Sequence, residues 1–79
     1  MDRDEAESPE GRYANVFQIG HNAFEFVLDF GQAQFPATTV RYHTRIITGP
    51  AYAKALLELI RQSMEEYERE FSAISGNEK

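Results

Sequence analysis

The chain has no cysteine, so no disulfide bond can cross-link it and no cysteine–histidine cluster can hold a structural zinc ion. Its 79 residues allow one small domain, in which surface dominates over core volume. A domain of this size is marginally stable on its own core, and association with another chain is the common means of support that remains. The composition therefore favours a protein that associates.

Basic residues are also few. Eight Lys and Arg oppose 13 Asp and Glu, which gives a formal net charge of −5. Nucleic-acid binding normally requires a basic surface, so general nucleic-acid binding is not expected. The sequence shows no signal peptide and no apolar run long enough to cross a membrane, and we expect a cytoplasmic protein without a membrane partner.

Both ends of the chain are poor in apolar residues. Residues 1–12 contain five acids, two arginines, one proline and one glycine, which is typical of a disordered acidic tail. Residues 76–79 follow an expected helix stop and are expected to fray. The expected organisation is therefore a tail over 1–12, a single α+β domain over 13–75 and a frayed end over 76–79.

Three segments have the alternating polarity of half-buried β-strands, at residues 14–20, 23–30 and 38–47. A two-residue turn at His21–Asn22 is the expected first connection, because Asn and His tolerate positive φ. It places Phe17 opposite Phe26. A turn at Gly20–His21 would keep the same faces, so both turns stay open.

The second connection is expected to be a loop over residues 31–37, centred near Phe35. One register then satisfies both faces of the sheet. The predicted pairs are Phe30–Val40, Leu28–Tyr42 and Phe24–Ile46 on the apolar face, with Glu25–Arg45 and Asp29–Arg41 on the other. This agreement predicts a three-stranded antiparallel meander.

A long helix follows, with Pro50 at its first position and a stop at 75–77. Glu65 and Arg69 are spaced to form an ion pair on this helix. Its apolar residues form a short stripe and a longer seam with heptad spacing. The stripe is Tyr52, Leu56 and Leu59; the seam is Ala53, Leu57, Ile60, Met64, Tyr67, Phe71 and Ile74.

A helix of about 25 residues is roughly 37 Å long, whereas an eight-residue strand spans only about 27 Å. We expect the first half of the helix to cover the aromatic face of the sheet and the second half to overhang it. The overhanging residues Met64, Tyr67, Phe71 and Ile74 are the candidates for self-association. The predicted fold is α+β, a three-stranded antiparallel β-meander followed by one long C-terminal helix (β-β-β-α), in a homodimer.

Several segments together resemble a known family. They are Tyr13 to His21, Phe26 to Gly31, Thr44 to Pro50 and the helix start from Ala53 to Leu57. In these segments the chain is similar to a small prokaryotic family called domain of unknown function 3467. The resemblance implies these domain limits and a cytoplasmic prokaryotic setting. It implies no activity, cofactor or catalytic residue.

The candidate contact residues on the sheet are Arg41, His43 and Arg45, which form a basic row on one strand face, and Phe35 in the loop. The row could bind phosphate, nucleic acid or an acidic partner, but pairing of its arginines with Glu25 and Asp29 is the simpler interpretation. Phe35 could anchor a partner. The strand aromatics could form a stacking platform, although a core beneath the helix is favoured.

No catalytic, cofactor or metal site is expected. The two histidines, His21 and His43, lack a third convergent metal ligand, and no nucleophile accompanies His43. The acids at 65, 66, 68 and 70 are expected to form the solvated helix face. The expected function is a non-enzymatic interaction or assembly module that acts as a homodimer. The alternative is a nucleic-acid-associated regulator that binds through the basic row.

Overall fold

The computed structural model describes residues 8–34, 36 and 39–75. Three strands precede one helix: β1 (Val16–His21), β2 (Phe26–Ala33), β3 (Val40–Thr48) and α1 (Pro50–Glu70). The strands form one antiparallel sheet in the order β1-β2-β3. The predicted α+β class and β-β-β-α order are confirmed.

The chain forms two compact units. The first extends up to Gly20 and includes Val27–Ile46, so it holds most of the three strands. The second includes His21–Phe26 and the chain from Ile47 onward, and it holds the first hairpin turn and α1.

The first hairpin turns at residues 23–24, later than predicted. The N–H of Asn22 donates to the carbonyl of Glu25 at 3.0 Å. The side-chain oxygen of Asn22 accepts the N–H groups of Phe24 at 2.8 Å and Glu25 at 2.9 Å. Both predicted turns, His21–Asn22 and Gly20–His21, are wrong, because the Asn22 side chain takes the backbone donors that follow it and so starts the turn itself.

The later turn changes the pairing of β1 with β2. The rings of Phe17 and Phe30 meet edge to face with centroids 5.8 Å apart, and the rings of His21 and Phe26 stack at 5.4 Å. The predicted partner of Phe17 was Phe26, so the true register is shifted by four residues. Because strand side chains alternate with a period of two, this shift leaves each side chain on its predicted face.

Gly31 lies buried inside β2 and not in the predicted loop. A Cβ atom on Gly31 would lie 2.3 Å from the carbonyl oxygen of Arg41 and 2.8 Å from the Cα of Tyr42. These are backbone atoms of β3, which cannot move aside as the end of a side chain can. The two strands therefore approach more closely at this point than any side chain would allow.

The core of the described residues is small. Leu28 is their only buried hydrophobic residue, and Asp29 beside it is buried too. The expectation that the strand aromatics form a core is wrong for Phe17 and Phe24, which are 59% and 81% exposed.

No residue of α1 is buried. The stripe residues Tyr52, Leu56 and Leu59 were expected to be covered, yet their exposed fractions are 73%, 39% and 63%. An amphipathic helix gains most of its stability in a protein by burying its apolar face, so α1 holds surface that is available for burial.

The helix begins as predicted and ends early. Gly49 is the N-cap residue with an extended backbone, and Pro50 occupies the first turn. At the other end the N–H of Phe71 donates to the carbonyl of Tyr67 at 2.8 Å. Ile74 lies beyond the helix, where its N–H donates to the Glu68 carboxylate at 2.9 Å. The predicted extension to Ile74 is wrong, because a side chain takes a donor that a longer helix would use.

We expect Gly31→Ala to destabilise the fold by about 1–3 kcal/mol, because the new methyl group would collide with the backbone of β3. Urea unfolding at matched protein concentration measures the loss. Gly20→Ala is the matched control, since no atom lies within 4 Å of its added Cβ. Equal midpoints for the Gly31→Ala variant and the wild type would contradict the close approach of the strands.

Candidate functional site

Two surfaces contain the residues that the sequence singles out. The first is the basic row, Arg41, His43 and Arg45, which alternate along β3 and so share one face of the sheet. The second is the helix seam, defined from here on as Ala53, Leu57, Ile60, Met64, Tyr67 and Phe71. Phe35, the predicted loop anchor, lies outside the described residues.

Arg45 is bound to Asp29 through two parallel hydrogen bonds. Its Nε donates to Oδ1 at 2.7 Å and its Nη2 donates to Oδ2 at 2.8 Å. The Asp29 side chain is 7% exposed, whereas that of Arg45 is 65% exposed. This pair replaces the two predicted ones, Glu25–Arg45 and Asp29–Arg41, because the pairing of β2 with β3 is shifted from the predicted register.

The pair shifts the ionisation of both partners. The Arg45 hydrogen bonds, together with its charge, hold the pKa of Asp29 below its ordinary value, against the opposing effect of burial. The same hydrogen bond and charge raise the pKa of Arg45. Both groups therefore stay ionised and neutralise each other, which removes one charge from the basic row.

His43 uses both of its ring nitrogens within the chain. Nε2 lies 3.0 Å from the carbonyl oxygen of Tyr13 and must donate to it, because a carbonyl can only accept. Nδ1 lies 2.6 Å from the hydroxyl of Thr44. In addition, Arg12 donates from Nη1 to the carbonyl of His43 at 3.4 Å. His43 therefore ties the segment before β1 to β3.

Asn15 makes a second tie between the same segment and the sheet. Its backbone N–H donates to the carbonyl of Gly31 at 2.9 Å. Its side-chain oxygen accepts the N–H of Ala33 at 3.0 Å, and its side-chain amide donates to the carbonyl of Ala33 at 3.3 Å. Sequence analysis missed this role; an Asn just before an apolar strand was the available signal.

Arg41 is the arginine of the basic row that has no ion pair among the described residues. It lines an open cleft of about 410 Å³ whose other lining residues are Gln32, Gln34, Thr39 and His43. The structure thus brings the three row residues to one face, where Arg45 has a carboxylate partner and Arg41 has none among the described residues.

The histidines do not form a metal centre in the part of the chain that is described. No three His, Asp or Glu side chains there lie close enough together to hold a metal ion. His21 stacks on Phe26 at the hairpin, while His43 is bound to Tyr13 and Thr44. Among these residues, likewise, no helix has the length and apolar composition to cross a membrane.

The helix seam is exposed along its whole length apart from Ala53, which is half-buried. Met64 and Tyr67 lie on α1, Phe71 caps it, and the Tyr67 and Phe71 rings touch with centroids 4.9 Å apart. Ile74, the fourth candidate for self-association, is exposed but lies past the end of the helix. The seam is the longest apolar row on a single element of the described chain.

Charged residues beside the seam pair within the helix. Arg61 forms salt bridges with Glu58 and Glu65. The hydrogen bonds from Arg61 and Gln62 lower the pKa of Glu58. The predicted Glu65–Arg69 pair is therefore wrong, because Glu65 turns toward Arg61 one turn earlier. These polar contacts lie on the solvent-exposed side of α1, and none of them involves a seam residue.

We expect Asp29→Asn to lower the stability near neutral pH and to flatten its acid dependence. Since the folded-state pKa of Asp29 lies below its ordinary value of 3.8, the wild type keeps this stabilisation above that pH. It loses the stabilisation as the pH falls through the folded-state pKa. Thermal unfolding between about pH 7 and pH 2 measures both effects.

Glu25→Gln is the control for that experiment, because it removes an exposed carboxylate that has no ion pair among the described residues. It should keep the wild-type acid limb. An Asp29→Asn variant with the same acid limb as the wild type would contradict the role of the Asp29–Arg45 pair.

Comparison with known proteins adds a family to this geometry. Residues 3–76 match the family described as Protein of unknown function (DUF3467). No curated protein matches the chain significantly, and no solved structure does so. The family match spans all three strands and α1, in agreement with the resemblance seen in the sequence. The chain therefore belongs to the DUF3467 family of proteins of unknown function.

Proposed function

We propose that this protein is a non-enzymatic interaction module that acts as a homodimer through the helix seam. The observation that carries the proposal is the exposure of α1. No residue of the helix is buried, although a row of large apolar side chains runs along it from Leu57 to Phe71. Exposed apolar rows of this kind mark interaction sites on small proteins.

The energetics favour burial of the seam. Leu28 is the only buried hydrophobic residue of the described chain, so little apolar burial stabilises the single copy. Complete burial of a Leu, Ile, Met or Phe side chain contributes about 1.5–3 kcal/mol. A symmetric partner would double the number of buried seam residues, which helps to offset the entropy lost on association.

The engagement of the polar residues supports a role without catalysis. His43 forms a hydrogen bond to Tyr13 through Nε2 and to Thr44 through Nδ1, so neither ring nitrogen is available to a substrate. Asp29 is likewise paired with Arg45 through both carboxylate oxygens. A general base needs an available nitrogen or oxygen within reach of a substrate proton.

The alternative, a regulator that binds nucleic acid through Arg41, His43 and Arg45, has less support. The Arg45 charge is neutralised by Asp29, and the carbonyl of Tyr13 occupies His43 Nε2. Of the two arginines in the row, only Arg41 has no ion pair among the described residues, whereas phosphate binding generally relies on several cations.

We expect the wild type to be a dimer in solution and Met64→Glu to be largely monomeric. The substitution places a charge inside the proposed interface, while Met and Glu have similar helix propensity. Light scattering after size exclusion, over a range of concentrations, gives the mass. The dimer dissociation constant should rise by about 30-fold or more, since two buried charges would be introduced per dimer.

Ala55→Glu is the matched control, because it adds the same charge to α1 at an exposed position outside the seam. It should remain dimeric. A wild type that stays monomeric at high micromolar concentration would overturn the homodimer. Equal weakening by the Met64→Glu and Ala55→Glu variants would show that the seam is not the interface.

A further inference from the structure

We infer that the two α1 helices pair antiparallel across a two-fold axis, with Ala53 of each copy opposite Phe71 of the other. This inference rests on the proposed homodimer and adds its orientation and register. It commits the apolar face of α1 to a second copy of this chain. The argument comes from the order of side-chain sizes along the helix seam and from the charges that flank it.

The helix seam has the spacing of a coiled coil. Its residues alternate by four and three positions from Ala53 to Phe71, and α1 continues through Glu70 with Phe71 as its cap. Two helices with this spacing pack side by side at a crossing angle of about 20°. The seam spans nearly the whole of α1, so a partner helix can cover it from end to end.

Side-chain sizes favour the antiparallel arrangement. When the helices run in opposite directions, each layer joins an early seam residue to a late one. The layers are Ala53 with Phe71, Leu57 with Tyr67, and Ile60 with Met64, each occurring twice. A parallel pair would instead stack Ala53 on Ala53 and Phe71 on Phe71. It would leave a gap at one end and crowd the other, and both faults destabilise packing.

The charges on one flank of the seam give an independent indication. This flank holds Lys54, Arg61 and Glu68, each one position after a seam residue. In the antiparallel register, Lys54 lies beside Glu68 of the partner at both ends of the interface. Arg61 meets its own copy at the axis, but its charge is already balanced by Glu58 and Glu65.

The other flank holds Leu56, Ser63 and Glu70. The antiparallel register places Ser63 next to its own copy at the axis and creates no pair of like charges on this flank. A parallel dimer would set Ser63 beside Glu68 and would form no ion pair across the helices. It would also bring the acids at the end of α1 together, at positions 65, 66, 68 and 70 of both copies.

Single cysteines can report the orientation directly, because the native chain has none. The probe is a short bismaleimide applied to Ser63→Cys and to Ala53→Cys, with products read on a denaturing gel. The antiparallel pair brings the two copies of position 63 together. It separates the two copies of position 53 by about 27 Å along the helix axis, at 1.5 Å per residue. We expect efficient cross-linking for Ser63→Cys and very little for Ala53→Cys.

A charge exchange provides the second measurement. Lys54→Glu should raise the dimer dissociation constant roughly tenfold at low salt, since two exposed attractions become repulsions. Adding Glu68→Lys to the same chain restores the opposite charges and should recover most of the affinity. Recovery will fall short of complete, because Glu68 also accepts the N–H of Ile74.

The two proposals fail in different ways. A dimer that cross-links through Ala53→Cys and not through Ser63→Cys would overturn the antiparallel pairing while leaving the homodimer intact. A double exchange no tighter than Lys54→Glu alone would overturn the predicted register. Absence of any dimer in the wild type would overturn the proposed function and this inference with it.

Discussion

The close contact between β2 and β3 is the constraint on which the rest of the sheet depends. Gly31 allows the backbone of β3 to approach β2 closely, and two residues before it the Asp29 side chain binds Arg45 of β3. Beside this contact, Asn15 and His43 attach the segment before β1 to β2 and β3. Only one apolar residue of the described chain is buried, so apolar packing can do little to fix the strand register. Hydrogen bonds and an ion pair take over that role.

The same shortage of buried apolar area shapes the helix. Salt bridges and hydrogen bonds occupy one side of α1 through Glu58, Arg61, Gln62 and Glu65, and the apolar seam occupies another. Pairs of this kind stabilise an exposed helix only by about 0.2–0.5 kcal/mol each. A helix of 21 residues with no buried residue therefore gains most from a partner that covers its seam. The proposed self-association would supply the apolar burial that α1 lacks in the single chain.

The basic row shows how context changes the meaning of a sequence pattern. Three basic residues at alternate positions on a strand suggest an anion-binding face. In the fold, Arg45 is neutralised by a buried carboxylate and His43 is held by a backbone carbonyl. The simpler interpretation, pairing across strands, holds for Arg45, although its partner is Asp29 and not Glu25. Arg45 and His43 therefore connect parts of the first unit by hydrogen bonds, and Arg45 adds no net charge to the sheet face once it is paired with Asp29.

The sequence alone determined the order of the elements, the face on which each strand residue lies, the helix start at Pro50 and the heptad spacing of the seam. These features depend on local periodicity, and a period of two is unaffected by register shifts of four residues. Tertiary structure decided the partner of Asp29 and the placement of Gly31 inside a strand, while local side-chain hydrogen bonds decided the turn at Asn22 and the end of the helix before Ile74. Each of these depends on a competition between hydrogen-bond donors and acceptors, or on the approach of two backbones, and the periodicity of residue types does not encode those contacts.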